Sequence, residues 1–119
     1  MQPQKQLKIL LIGDSCTDEY VYGTCERLNP EAPVPILKFN RKETKKGMAW
    51  NVRQNLMSFG IDVFILTNQE SITKTRYIDE RYNQQFLRVD NEPSLKPMNY
   101  ELPIEIYSVF LYFLKQQFA

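Results

Sequence analysis

The chain has 119 residues, which suffices for one domain with a single small hydrophobic core. Its 15 Lys and Arg residues nearly balance 14 Asp and Glu residues, and the net charge of +1 argues against a general attraction to nucleic acid or to anionic membranes. The complete absence of histidine removes the commonest general base near neutral pH and the commonest zinc ligand.

Residues 7–12 form a nearly continuous apolar run that ends at Gly13 and Asp14. Such a run predicts a buried parallel strand with polar residues at its carboxyl end, which is the edge of an open α/β sheet where ligands bind. Residues 20–24 and 34–39 are rich in β-branched and aromatic side chains and predict two further strands. Prolines at positions 30, 33 and 35 favour an edge position for the second of these strands.

Residues 41–46 are all polar and read as a connection between elements. From Met48 onward the apolar residues follow a helical spacing until Gly60, which predicts a helix that ends at a glycine. Residues 62–67 return to a strand pattern. Residues 72–79 and 82–90 alternate in polarity and predict an antiparallel hairpin, and the absence of glycine from its loop leaves the turn type open.

Residues 91–100 contain two prolines and predict a linker. Residues 103–118 are too densely apolar for a clean amphipathic face, and they fit either a terminal helix or a strand followed by a short tail. The apolar stretch 104–114 contains Glu105 and Ser108 and is shorter than the ~20 residues of a membrane-spanning helix. We therefore expect no membrane helix.

The two cysteines, Cys16 and Cys25, lie nine positions apart, which is not the C-x-x-C spacing of redox or metal sites. Met1 is followed by polar residues and not by the apolar core of a secretory leader. We expect a cytoplasmic protein in which both thiols are reduced and buried as small apolar side chains.

Four phrases occur in a fixed order: Gly13-Asp14 with Asp18, Pro-Glu-Ala-Pro-Val-Pro at 30–35, Gly-Met-Ala-Trp-Asn-Val at 47–52, and residues 72–76 followed by Asn-Gln-Gln at 83–85. Together they resemble the ribokinase-like (PfkB-type) carbohydrate kinases, and within them the kinases of heptose phosphates that feed lipopolysaccharide synthesis. The likeness runs over about residues 8–92. It implies a truncated α/β sandwich with a small β lid, as a single domain over residues 1–119 with lid-type strands at 20–39 and 72–90.

The resemblance further implies a set of sugar-binding residues, namely Asp14, Asp18, Gly47, Asn51, Lys74 and Arg76. Asp18, with Asp14 beside it, would accept hydrogen bonds from sugar hydroxyls, because a carboxylate accepts several donors at once. Gly47 would let the backbone approach the sugar, and Asn51 would supply one donor and one acceptor. Lys74 and Arg76 would neutralise a sugar phosphate.

Each assignment has a structural alternative. The two aspartates can end a strand and cap a turn, and Gly47 can be an ordinary helix-entry glycine. Lys74 and Arg76 alternate with other residues and can form the solvated face of a strand. Trp50 stands where the family usually carries a small residue, so either the helix packs differently or the sugar pocket is partly filled.

The catalytic half of such a kinase is not recognisable. In the family a Gly-x-Gly-Asp motif supplies the catalytic base and the anion hole, but no glycine follows Gly60 in this sequence. We therefore assign no catalytic residue, no metal ligand and no cofactor to this chain, whereas full-length relatives use ATP and magnesium.

Two functional hypotheses follow. In the first, the chain binds a sugar phosphate of the heptose-phosphate type and needs a complementary kinase half for catalysis. In the second, it is a non-enzymatic oligomerisation or protein-interaction module, in which lid strands pair with a second copy and apolar side chains such as Phe110, Tyr112, Phe113 and Phe118 dock a partner. We expect no nucleic-acid and no membrane partner.

Overall fold

The computed structural model describes residues 7–97 and 109–113. In chain order the elements are β1 (Lys8–Gly13), β2 (Ser15–Leu28), β3 (Pro35–Met48), α1 (Ala49–Ser58), β4 (Asp62–Leu66), β5 (Thr73–Asp79), β6 (Gln84–Asn91) and β7 (Val109–Phe113). The described residues fall into two compact units, the first from residues 7–16, 46–71, 93–97 and 109–113 and the second from residues 17–45 and 72–92. The predicted α/β fold with an additional small β-sheet is confirmed.

The first unit is built on a three-stranded parallel sheet with the order β4-β1-β7. Strand β1 is central, and its residues Leu10 and Leu11 are 1% and 0% exposed. A central parallel strand is buried on both faces, which explains why its sequence is continuously apolar and does not alternate. The predicted strand at residues 7–12 is confirmed.

Helix α1 packs its apolar face on this sheet. Ala49 is 1% exposed and belongs to one cluster with Ile9, Leu11 and Val63, against which Val52 and Leu56 also pack. The helix ends where Phe59 and Gly60 donate their N–H groups to Leu56 and Met57, and Gly60 adopts a φ of 75°. Glycine adopts this left-handed conformation without steric cost, so the predicted helix and its glycine stop are both confirmed.

The second unit is a four-stranded sheet with the order β3-β2-β5-β6. Both strands predicted around residues 20–24 and 34–39 are present but extend to 14 residues each, and β3 lies at the predicted edge. Residues 20–39 and 72–90, predicted to be lid-type strands, lie within this unit. Close approach of β2 to β3 occurs at Gly23, where an added Cβ atom would lie 2.3 Å from the carbonyl oxygen of Lys38.

Strands β5 and β6 form the predicted antiparallel hairpin. Its loop contains no glycine, and Asn83 supplies the left-handed residue with a φ of 49°. Asparagine tolerates this conformation better than most residues do.

Two predictions are corrected, and one open alternative is decided. Residues 41–46 are not a connection but part of edge strand β3, which is paired on one side and has mostly solvent-exposed side chains, so it needs no apolar residues there. Of the two alternatives left open for residues 103–118, the strand is observed at 109–113, where β7 pairs in parallel with β1; the other positions of 103–118 lie outside the described residues. Cys16 is buried as predicted, but Cys25 is only half-buried because it lies near the exposed end of β2.

Within the described residues, no helix combines the length and the apolarity that a bilayer span requires.

Candidate functional site

In the first unit, three predicted site residues lie around the start of helix α1. Asp14 follows β1, and its carbonyl oxygen accepts a hydrogen bond of 3.0 Å from the N–H of Ala49, the first residue of the helix. Gly47 is buried near the end of β3, two positions before the first helical residue, and Asn51 is exposed in the first helical turn. Asp14 and the helix that carries Asn51 are thereby fixed to each other at the carboxyl end of a central parallel strand.

Asn68 holds this end of the sheet together and was not identified from the sequence. Its side chain is 8% exposed, and its Oδ1 accepts a hydrogen bond of 2.7 Å from the N–H of Ser15. Its Nδ2 donates to the carbonyl oxygens of Ser15 at 3.2 Å and Glu70 at 2.6 Å. The hydroxyl of Thr67 donates to Asn68 at 3.0 Å and lies 2.7 Å from that of Ser15. The available signal was that the polar residues 67 and 68 lie at the carboxyl end of the predicted strand 62–67.

Met48 has a strained backbone at the junction between β3 and α1. Its φ of 57° and ψ of −127° lie in a region that side-chain-bearing residues rarely adopt. Such residues cost about 1–3 kcal/mol each and persist only where the surrounding structure imposes them.

We expect Met48→Gly to be more stable than Met48→Ala by about 1 kcal/mol. Both variants lose the same side chain, but only glycine relieves the strain, and its greater freedom in the unfolded chain offsets about 0.5–1 kcal/mol of the gain. Urea denaturation of the two variants measures the difference. Equal stability of the two variants would contradict a strained backbone at this position.

In the second unit, Asp18, Lys74 and Arg76 lie on neighbouring strands. Strands β2 and β5 pair in parallel with Asp18 opposite Lys74, and Arg76 donates from Nη1 to Asp18 Oδ1 at 2.8 Å. The side chains of the two ion-paired residues are 19% and 21% exposed, and that of Lys74 is also 21% exposed. Lys74 lies 3.8 Å from Glu92. These three side chains are therefore half-buried and lie next to one another, whereas side chains on a fully solvated strand face would be exposed.

Aromatic rings contact several cations on this sheet. The rings of Tyr20 and Tyr22 stack with their centroids 6.4 Å apart. Arg76 and Lys45 lie 5.2 Å and 5.4 Å from the Tyr20 ring, and Arg41 lies 3.9 Å from the Tyr22 ring. Cation–π contacts of this kind hold long basic side chains in place without neutralising their charge. The sequence offered only scattered tyrosines as a signal.

The hairpin turn is tied to strand β3 by charge. Glu80 accepts a hydrogen bond of 2.9 Å from Nε of Arg41 and a longer one from Asn40, and these bonds hold the pKa of Glu80 below its usual value. Nearby, burial raises the pKa of the Cys25 thiol, the carboxylate of Asp79 adds to the rise, and Arg81 opposes it. Cys25 is thus not an activated thiolate.

The six predicted residues divide evenly: Asp14, Gly47 and Asn51 belong to the first unit, and Asp18, Lys74 and Arg76 belong to the second. Their predicted roles toward a sugar stay predictions.

No protein-family model matches this chain. It is 36% identical over 132 aligned positions to the bifunctional protein HldE of Helicobacter pylori (strain HPAG1), covering 87% of this chain and 28% of that protein. It is 46% identical over 61 residues to the bifunctional protein HldE of Campylobacter concisus (strain 13826), covering 51% of this chain and 13% of that protein. A solved carbohydrate kinase from Agrobacterium tumefaciens aligns with a TM-score of 0.41 and 13% identity over 72% of this chain and 36% of that one. The chain thus spans less than a third of the length of these HldE relatives.

Proposed function

Because this chain is a relative of the ribokinase-like carbohydrate kinases, similar to the HldE proteins over an N-terminal portion, we propose that it binds a sugar phosphate of the heptose-phosphate type. Binding takes place in the cytoplasm. The family relationship supports a carbohydrate ligand, and the basic side chains Lys74 and Arg76 support a ligand that carries a phosphate.

The observation that carries the proposal is the half-buried pair of Asp18 and Arg76, with Lys74 opposite Asp18. A carboxylate such as that of Asp18 accepts hydrogen bonds from sugar hydroxyls. The guanidinium of Arg76 and the ammonium group of Lys74 can neutralise the charge of a sugar phosphate. One strand pair therefore supports recognition of both parts of the ligand. In the first unit, Asn51 supplies an exposed amide of the kind that binds hydroxyls.

Variants in each unit test the proposal by calorimetric titration with heptose 7-phosphate. We expect Asp18→Ala and Asn51→Ala each to weaken binding about tenfold, which is the usual cost of a lost hydrogen bond that involves a charged or buried polar group. Asp62→Ala and Asn55→Ala are the matched controls, because Asp62 is an exposed aspartate and Asn55 lies one helical turn beyond Asn51. If all four variants bind with one affinity, these site assignments are wrong.

Phosphoryl transfer needs groups that we do not assign to this chain. No glycine follows Gly60, so the phosphate-binding glycines and the catalytic aspartate of the family must come from residues beyond these 119, whether attached or in a complementary polypeptide. We expect no ATP consumption by the isolated chain with heptose 7-phosphate, and turnover when a polypeptide that carries the missing glycine motif and catalytic aspartate is added. Turnover by the isolated chain would contradict this part of the proposal.

A second candidate function is assembly through the sheet of the second unit. Strands β3 and β6 are its edges, and they expose Phe39, Leu87 and Val89 at 61%, 50% and 46%. Edge strands with exposed apolar side chains readily pair with another chain. We expect light scattering to detect a dimer of the unmodified chain and a monomer of Val89→Lys. A monomer of the unmodified chain at all concentrations would contradict assembly through this sheet.

A further inference from the structure

Helix α1 carries a cavity on the side next to its packed face. The cavity has a volume of about 210 Å³ and is lined by Lys46, Trp50, Arg53, Gln54 and Met57. Positions 50, 53, 54 and 57 follow helical spacing, whereas the residues that pack on the sheet are 49, 52 and 56. All of the lining residues belong to the first unit, and none was assigned to sugar binding.

Two of the residues that line this cavity, Lys46 and Arg53, are cations. Within residues 7–97 and 109–113, neither Lys46 nor Arg53 forms an ion pair. The Nε atom of Arg53 is also buried without a hydrogen-bond partner in this part of the chain. A buried unpaired N–H group is costly and uncommon in native structures, so it indicates an acceptor that belongs there. Turning this guanidinium toward a ligand breaks no hydrogen bond at Nε.

An aromatic ring accompanies the cations. The ammonium group of Lys46 lies 5.9 Å from the centroid of the Trp50 ring, and the ring lines the same cavity as the thioether of Met57. A ligand that reaches both cations therefore also meets an apolar flat surface. Gln54 adds an amide that can donate to an oxygen atom.

We propose that this cavity binds a small phosphate monoester whose organic part is flat and aromatic. A phosphate dianion matches two cations that form no ion pair with the described residues, and a guanidinium binds phosphate through two parallel N–H donors. The aromatic part of the ligand stacks on Trp50, and offset stacking between rings adds to the affinity. The site is separate from the proposed sugar-phosphate function and does not rest on it.

Trp50 is the single tryptophan of the chain, so its fluorescence reports on this cavity alone. The experiment titrates the full chain with phenyl phosphate, with excitation at the red edge of the indole band, where phenyl phosphate does not absorb. We expect a saturable change, and about tenfold weaker binding of inorganic phosphate because it lacks the stacking ring. Arg53→Ala and Lys46→Ala are each expected to weaken phenyl phosphate about tenfold.

Lys96→Ala is the control for charge, because Lys96 belongs to the same unit but does not line the cavity. It removes one positive charge and should bind phenyl phosphate like the unmodified chain. Arg53→Lys keeps the positive charge but loses the two parallel N–H donors of the guanidinium. Its affinity for phenyl phosphate should lie between those of the unmodified chain and Arg53→Ala. Circular dichroism checks that each variant is folded.

Three results would overturn the proposal. The first is a fluorescence change that does not saturate. The second is equal weakening by Lys96→Ala and Arg53→Ala, which would reduce the effect to net charge. The third is equal affinity for inorganic phosphate and phenyl phosphate, which would remove the role of the indole ring.

Discussion

We expect Leu11→Ala to lower the free energy of unfolding by about 3 kcal/mol, within the range of about 2–5 kcal/mol for truncation of a fully buried leucine. Leu11 is 0% exposed and lies on the central strand of the parallel sheet, in one cluster with Ala49 and Val63. The cost combines the lost burial of apolar surface with the cavity that the smaller side chain leaves. The neighbouring strands and the helix that packs on the sheet keep this cavity from collapsing. For a domain whose total stability is on the order of 5–15 kcal/mol, the loss is large.

Urea denaturation followed by far-ultraviolet circular dichroism measures this loss. The control is Leu28→Ala, which makes the same chemical change at a side chain that is 66% exposed and should alter stability by less than about 0.5 kcal/mol. Similar losses for both variants would mean that β1 is not the centre of a packed sheet.

Asn68→Ala is expected to lower stability by about 2–3 kcal/mol. The substitution leaves the buried N–H of Ser15 without its acceptor and two carbonyl oxygens without their donor. A buried polar group that loses its partner costs about 1–3 kcal/mol, and here several groups are affected at once. The same substitution should loosen the segment around Asp14, because Ser15 is its direct neighbour.

Asn68→Asp separates the parts of this network. The aspartate keeps an acceptor for the Ser15 N–H, but an ionised carboxylate cannot donate to the carbonyl oxygens of Ser15 and Glu70. At low pH the stability of Asn68→Asp should therefore lie between that of the unmodified chain and that of Asn68→Ala. At neutral pH the buried charge should make Asn68→Asp less stable than it is at low pH. Asn55→Ala on the exposed side of α1 is the neutral control. Amide hydrogen exchange at Ser15 reads out the local effect, and unchanged protection in Asn68→Ala would contradict the role of Asn68.

The sequence predicted elements of the first unit best, because burial leaves a strong local pattern. The apolar run at residues 7–12 and the helical spacing from Met48 to Gly60 record which faces are buried. Edge strand β3 leaves no such pattern at residues 41–46. Its side chains instead contact β2 through ion pairs and rings, such as Lys42 with Glu19 at 3.2 Å. Such contacts depend on which strand lies next to β3, so the local sequence of residues 41–46 does not predict them.

The candidate site was predictable only in its residue types. The resemblance singled out Asp18 and Arg76, but their 2.8 Å hydrogen bond joins positions 58 apart and depends on the register of β2 against β5. The role of Asn68 has the same origin, because it reaches Ser15 across 53 positions. Local sequence patterns do not encode register between strands so far apart along the chain.

Calorimetric titration of the unmodified chain with heptose 7-phosphate, compared with the same heptose without phosphate, tests the central claim most directly. We predict saturable heat with the phosphorylated sugar and at least tenfold weaker binding of the unphosphorylated one, since the phosphate is the part that Lys74 and Arg76 neutralise. The absence of heat with the phosphorylated sugar, even at several millimolar ligand (~3 kcal/mol of binding free energy), would contradict sugar-phosphate binding by this chain.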